Sequence, residues 1–212
     1  MLLRDGADGL EVFMVRRSLR LVFAGGAHVF PGGAVDAADR EIGGEGSMVF
    51  KVAAVRECFE EAGFLLAVDA AGEVVRLDDP AMAERFFQYR REIAGGERSL
   101  ADVCGTERLR LAVDTMHYVS RWITPEGAPR RFDTRFFVCA APEGQTPLHD
   151  AEETIAHEWA RPADVLQRHR DGAVDLMTPT QSSLKWLAEF DTVDDALAAA
   201  ASSGPGGNYQ RG

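Results

Sequence analysis

Three carboxylates fall within one short stretch, Arg56-Glu57-Cys58-Phe59-Glu60-Glu61-Ala62-Gly63. At about 100° per residue, with Val52 set to zero, Glu57, Glu60 and Glu61 sit at roughly 140°, 80° and 180° around a helix. Val52, Val55, Phe59 and Ala62 sit at about 0°, 300°, 340° and 280° on the same wheel. The apolar face is suited to a core, and the three carboxylates converge on the opposite face. Side by side they repel one another and weaken the helix. A hard divalent cation offsets that repulsion, because magnesium takes oxygen ligands and keeps waters that a substrate phosphate can replace. Arg56 lies four residues ahead of Glu60 and is placed to pair with it and orient its carboxylate. Taken alone, the three glutamates read equally well as a solvated acidic face.

The elements around this stretch must position it. Lys51 to Ala62 predicts a helix, with Gly63 as its stop. Upstream, Gly25-Gly26 and Pro31-Gly32-Gly33 bracket a short apolar run, and Gly43 to Gly46 predicts a flexible loop. Leu2 to Arg4 and Leu10 to Arg17 predict a hairpin turned at residues 5–9. Its first strand is so short that the chain start is expected to clip it, leaving a weakly paired edge. Phe64 to Val68 is expected to resume as strand. Met82, Phe86, Tyr89 and Ile93 recur at helical spacing from Pro80 to Ala94, and Leu100 to Val113 is expected to continue as a second helical piece. Tyr118 to Ile123, Phe132 to Cys139 and Ile155 to Ala160 are strand-like. A helix is expected to open at Arg161-Pro162 and run to Arg168, and Thr180 to cap another carrying Leu184 and Leu187. Strands and helices alternate without a glycine-rich dinucleotide fingerprint, which predicts an α/β fold with a mixed sheet rather than a doubly wound one. Residues 1–201 read as a single domain with a helical insertion at about 80–113, and 202–212, lacking core-forming residues, as a disordered tail.

Composition narrows the chemistry. The 212 residues are 46% hydrophobic and carry 34 acidic against 23 basic side chains, a net charge of −11. Such a surface repels nucleic acid and anionic membranes at long range, so neither is an expected partner. A small phosphate substrate is compatible with it if arginines or a metal reverse the sign locally. Cys58, Cys104 and Cys139 form no CxxC pair, so neither a zinc site nor a disulfide framework is indicated. No apolar run approaches the roughly 20 residues that span a bilayer, and the N-terminus lacks a signal-peptide core. A cytoplasmic location is the expectation.

The segment from Gly33 to Phe64 resembles the Nudix box: Gly, five residues, Glu, seven residues, Arg-Glu, two residues, Glu-Glu, one residue, Gly. Pro31-Gly32-Gly33 supplies the leading loop, and Arg56-Glu57, Glu60-Glu61 and Gly63 match in spacing. Asp39 stands where the pattern has Glu, and sixteen residues separate it from Arg56 instead of seven, so nine are inserted around Gly43-Gly44-Glu45-Gly46. An insertion there is tolerable because loop-closure cost grows slowly with length. Asp36 and Asp39 are open to either loop-shaping or metal chemistry. Phe30-Pro31-Gly32-Gly33-Ala34-Val35, Trp122-Ile123-Thr124-Pro125, Arg131-Phe132-Asp133-Thr134-Arg135, Glu158-Trp159 and Pro179-Thr180 are similar to the coenzyme A and acyl-coenzyme A diphosphatase branches. The likeness is strongest to the acyl-coenzyme A type, whose box also carries an insertion.

That resemblance implies a Nudix α/β/α sandwich, a mixed sheet between helices, and Mg²⁺-dependent hydrolysis of a diphosphate bond in coenzyme A or acyl-coenzyme A. Other nucleotide diphosphate derivatives, ADP-ribose and NADH among them, are the alternatives. A Nudix-fold sensor that binds without cleaving is the alternative of a different class. Glu57, Glu60 and Glu61 are implied as metal ligands, with Mn²⁺ as a substitute ion, and Arg56, Glu57 and Glu60 as the catalytic set. Glu153, in a loop that often lends a further carboxylate in this family, joins that set as ligand or base, against the alternative of an ordinary charged loop. Of Arg16, Arg17, Arg130, Arg131 and Arg135, which otherwise read as surface charge, Arg17 and Arg131 are expected to bind substrate phosphate, together with Gly32 and Gly33. A small-molecule nucleotide diphosphate is the expected partner, and a weakly paired Leu2–Arg4 edge leaves room for a homodimer.

Overall fold

Leu10, Val12, Phe13, Met14 and Val15 are all buried, so both faces of the strand that carries them are covered and the strand is interior to its sheet. The structure, a computed structural model, describes residues 1–18, 25–127, 131–147, 154–203 and 209–211. Strands Leu2–Gly6 (β1), Gly9–Arg17 (β2) and His28–Val29 (β3) come first. Helices Asp39–Gly43 (α1) and Met48–Ala62 (α2), strand Ala67–Val68 (β4), helices Pro80–Ala94 (α3) and Leu100–Glu107 (α4), and strand Arg110–Leu111 (β5) follow. After a 3-10 turn come strands His117–Ile123 (β6), Asp133–Ala140 (β7) and Thr154–Ala160 (β8). Helices Pro162–Arg170 (α5), Thr178–Leu187 (α6) and Val193–Ser202 (α7) and strand Tyr209–Arg211 (β9) complete the order. The chain divides into two compact units, one of residues 1–30, 115–140 and 158–212 and the other of residues 31–114 and 141–157.

The first unit carries a sheet in the order β3-β2-β1-β7-β6-β9, with β8 also paired to β2. It is mixed: β1 with β7 and β6 with β9 are parallel, and the other registered pairs are antiparallel. Leu3, Leu10, Val12, Met14 and Val138 from the sheet meet Val165, Leu184, Leu187 and Ala196 from α5, α6 and α7 in one core. Three expectations are corrected here. Leu2–Arg4 is no edge: β1 lies between β2 and β7, Leu2 and Leu3 pair with Cys139 and Ala140, and both leucines are buried. Thr180 does not cap α6, which starts at Thr178 with Pro179 in its first turn, where a missing N–H is tolerated. Residues 202–212 are not uniformly a tail, because Tyr209–Arg211 pairs with Arg121–Ile123. Pairing of that kind uses main-chain groups and needs no core-forming side chain.

The second unit packs α2 against α1 and α3, and α1 also against α4. The predicted α2 and α3 are present. Part of the loop at Gly43 to Gly46 is instead helical, as the last residue of α1. The second helical piece stops at Glu107 and not at Val113, because Arg108 turns left-handed at φ 56° and Arg110–Leu111 then pairs with Ala67–Val68. The strand expected from Phe64 shrinks to two residues. Ahead of them the Gln145 side chain takes over the main chain of Leu65, accepting its N–H at 2.8 Å and donating to its carbonyl at 3.0 Å.

Candidate active site

α2 presents its carboxylates from a helix whose other face is sealed. Val52, Val55, Phe59 and Ala62 are each at most 1% exposed, which fixes the rotation of the helix about its axis. Gly63 ends it in the left-handed conformation at φ 77°, its N–H on the Phe59 carbonyl, a geometry that costs a residue with a Cβ.

Arg56 is the hub of the opposite face. Its Nε and Nη2 donate to Asp39 Oδ1 and Oδ2 at 2.9 and 3.2 Å. Nη1 donates to Glu60 Oε1 at 3.1 Å, and Nη2 to Glu57 Oε1 at 3.1 Å and to the Ala34 carbonyl at 2.7 Å. Burial works to lower the Arg56 pKa, but the Asp39 hydrogen bond and the charges of Glu57 and Glu60 outweigh it and hold it well above the usual value. The guanidinium is therefore a permanent cation. Asp39, 2% exposed, also accepts the N–H of Asp36 at 2.7 Å, and Asp36 accepts that of Ala38 at 2.9 Å. Both aspartates thus shape the loop, and Asp39 in addition orients Arg56.

The glycine loop comes directly onto these side chains. Gly32, at φ 152°, donates its N–H to Glu61 Oε2 at 2.9 Å. A Cβ at Gly33 would collide with the Glu57 carboxylate where it now lies, so the bare position lets loop and carboxylate meet without either moving aside. Glu61 is 5% exposed, and the side chains of Glu57 and Glu60 are 15% and 18% exposed. None lies open as on a solvated face. Nor do the three converge on one point as the wheel suggested: Glu57 and Glu60 turn to the guanidinium and Glu61 to a main-chain N–H. Among the described residues no three His, Cys, Asp or Glu side chains are grouped as metal ligands. The donor set of α2 is nonetheless all carboxylate oxygen, the chemistry that hard ions such as Mg²⁺ and Mn²⁺ require.

Arg90 is a residue that sequence reasoning missed. It is 5% exposed, and its Nε donates to the main-chain carbonyl of Glu60 at 2.7 Å. That carbonyl belongs to the last turn of α2, where no helical N–H follows to satisfy it. No local signal in the sequence marks this bond, which joins residues thirty positions apart.

The second unit thus brings Gly32, Gly33, Arg56, Glu57, Glu60 and Glu61 together. Arg17 and Arg131 belong to the first unit. Arg17 ends β2, its main chain bonded to Ala27 and Gly26, with its buried Nε lacking a hydrogen-bond partner among the described residues. Arg131 is exposed ahead of β7, its Nε 3.4 Å from the Thr124 carbonyl. Glu153 and Arg130 lie outside the described residues. Thiolate chemistry has little support: burial pushes the Cys104 thiol up to about 11 and raises that of Cys139, and thiolates are the reactive form.

Comparison with known proteins places this geometry. Residues 44–187 match the family model described as the NUDT19 Nudix domain. The human protein named acyl-coenzyme A diphosphatase NUDT19 is 25% identical over 237 residues, covering 89% of this chain and 63% of that protein. The chicken protein of the same name is 27% identical over 245 residues, covering 90% and 64%. The chain therefore spans a little under two thirds of these relatives. The crystal structure of a NUDIX hydrolase from Alicyclobacillus acidocaldarius superposes with a TM-score of 0.81 at 28% identity, covering 93% of this chain and 92% of that one. No described helix is long and apolar enough to cross a membrane.

Proposed function

Because this chain belongs to the Nudix hydrolase family, we propose that it hydrolyses the diphosphate bond of coenzyme A or an acyl-coenzyme A with the aid of a divalent metal. One observation carries the reading: the carboxylates of α2, half-buried or buried, two of them gathered by Arg56 and the third set against the Gly32–Gly33 loop, in a domain whose relatives bear the name acyl-coenzyme A diphosphatase.

Glu57, Glu60 and Glu61 would hold Mg²⁺, or Mn²⁺ in its place, and the bound ion would neutralise the diphosphate and lower the pKa of a water. This chain's own groups do the rest. Arg56 orients Glu57 and Glu60, holding each carboxylate by a hydrogen bond of 3.1 Å. A carboxylate, with Glu57, Glu60 and Glu153 as candidates, accepts the proton of the water as its oxygen bonds to phosphorus and the bridging P–O bond breaks. Gly32 and Gly33 let the main chain approach the diphosphate; Arg17 and Arg131 of the first unit stand as separate candidates for a phosphate contact. Hydrolysis of coenzyme A in this way yields 3′,5′-ADP and 4′-phosphopantetheine.

The test is product identification by mass spectrometry after incubation with Mg²⁺ and coenzyme A, an acyl-coenzyme A, ADP-ribose, NADH and nucleoside triphosphates. Release of 3′,5′-ADP from the coenzyme A substrates is the expected result. Cleavage of another member alone would retain the chemistry and discard the substrate. No cleavage by folded, metal-loaded protein would sink the reading.

A further inference from the structure

The carboxylate face of α2 accounts for a diphosphate, and the other side of the same helix end holds a cavity of about 140 Å³. Phe59 and Gly63 of α2 and Phe86 and Arg90 of α3 form its inner wall, and Ala83 and Phe87 of α3 lie along it toward solvent. Phe59 and Phe86 are each 1% exposed, whereas Phe87 is 39% exposed, an aromatic ring standing in water at the cavity mouth. The Arg90 Nε is committed to the Glu60 carbonyl, and apart from the rest of that guanidinium and Thr146 the side chains lining the cavity are hydrocarbon. From Glu57 to Gly63 the helix advances only about 9 Å, which keeps the cavity close to the carboxylates along the axis. An apolar cavity of this size takes a hydrocarbon of about six carbons, the scale of the benzene molecule that fills comparable voids.

We propose that this cavity receives the acyl end of the substrate and so selects acyl groups of about four to six carbons by length. The proposal rests on the diphosphatase reading above and deepens it: α2 would serve the diphosphate with one face and, at its C-terminal end, the hydrocarbon with the other. Ala83 is the position at which α3 leaves the space open. A larger residue there would occupy the volume an acyl chain needs.

The experiment compares kcat/KM for free coenzyme A and its acetyl, butanoyl, hexanoyl, octanoyl and palmitoyl thioesters, in the wild type, Ala83→Phe and Phe87→Ala. In parallel, calorimetry on metal-free protein measures the affinity for free and hexanoyl-coenzyme A without turnover. Burial of each methylene is expected to raise wild-type kcat/KM about three- to four-fold, with the rise levelling off beyond about six carbons. Ala83→Phe should lower the ratio of hexanoyl to free coenzyme A at least ten-fold in both measurements, and Phe87→Ala should lower it by less. Cleavage of every thioester with a flat length dependence, or a ratio untouched by Ala83→Phe, overturns the cavity proposal and leaves the diphosphatase reading standing. Should Ala83→Phe fail to fold by circular dichroism, the Phe87→Ala ratio decides in its place. Absence of cleavage across the whole series overturns both.

Discussion

Two arginines, one half-buried and one buried, hold the C-terminal half of α2 from different sides, and they hold it in different ways. Arg56 grips side chains: its guanidinium is shared among Asp39, Glu57, Glu60 and the Ala34 carbonyl. Arg90 grips the backbone, with one N–H on the Glu60 carbonyl. Glu60 is thus fixed at both ends, its carboxylate by one arginine and its peptide by the other. The Arg56 side is electrostatic and adjustable, because a cation bound there would compete with the guanidinium for the same carboxylate oxygens. The Arg90 side ends on a neutral main-chain acceptor, the Glu60 carbonyl. Arg56 thus orders the carboxylates while Arg90 holds the helix end they stand on.

Removing what the Arg56 side exists to serve should have the largest effect. Chelation with EDTA should abolish turnover and added Mg²⁺ or Mn²⁺ restore it, and Glu60→Gln should lower kcat about 100- to 10,000-fold with an unchanged circular dichroism spectrum. Near-normal turnover in Glu60→Gln would detach the carboxylate face from chemistry and erase the contrast with the Arg90 side. Next comes Arg56→Met. It leaves Asp39, whose side chain is 1% exposed, without its guanidinium partner beside two further carboxylates. Breaking a buried pair from one side costs about 3–5 kcal/mol, to be read by urea denaturation. Added Mg²⁺ should recover more stability in this variant than in the wild type, because its carboxylates repel one another without a cation between them.

Parts of this arrangement are legible in the sequence because their causes are local. The rotation of α2 follows from apolar residues at helical spacing, its end from Gly63, and the pairing of Arg56 with Glu60 from a separation of four residues. α3 is legible for the same reason, with Met82, Phe86, Tyr89 and Ile93 on one stripe. What escapes is set by distant partners. The strand expected at Phe64 is cut short because Gln145, eighty residues on, bonds the main chain of Leu65. α4 stops at Arg108, a left-handed residue that is not a glycine, so no familiar stop signal marks it. β1 escapes differently. A strand that looks clipped along the sequence is central in space, because the strand that pairs with its other side, β7, is more than a hundred residues away. The burial of Glu61 was hidden too, since it depends on where the Gly32 N–H arrives.

Arg90 sharpens the comparison at a smaller scale. Arg90→Met should cost about 1–3 kcal/mol, the price of leaving the Glu60 carbonyl buried and unsatisfied. If Arg90 is a positioning residue, kcat should also fall while KM for coenzyme A changes little, because the Glu60 peptide loses its anchor and the substrate phosphates lose no contact. Equal loss in both constants, or lost stability with kcat intact, would reduce Arg90 to ordinary packing.

The smallest effect is the most discriminating. Arg90→Lys retains a cationic donor for a single carbonyl, so it should stay within about 1 kcal/mol of wild type and restore most of the kcat lost in Arg90→Met. Arg56→Lys should restore little. An ammonium has three donors and no planar fork, whereas Arg56 makes five bonds to four residues in fixed directions. Unfolding both lysine variants in urea, with equal m-values to ensure a common denatured state, tests the distinction directly. If Arg56→Lys is the better tolerated of the two, the carboxylates of α2 need only a nearby charge, and the geometry of the guanidinium is not what orders them.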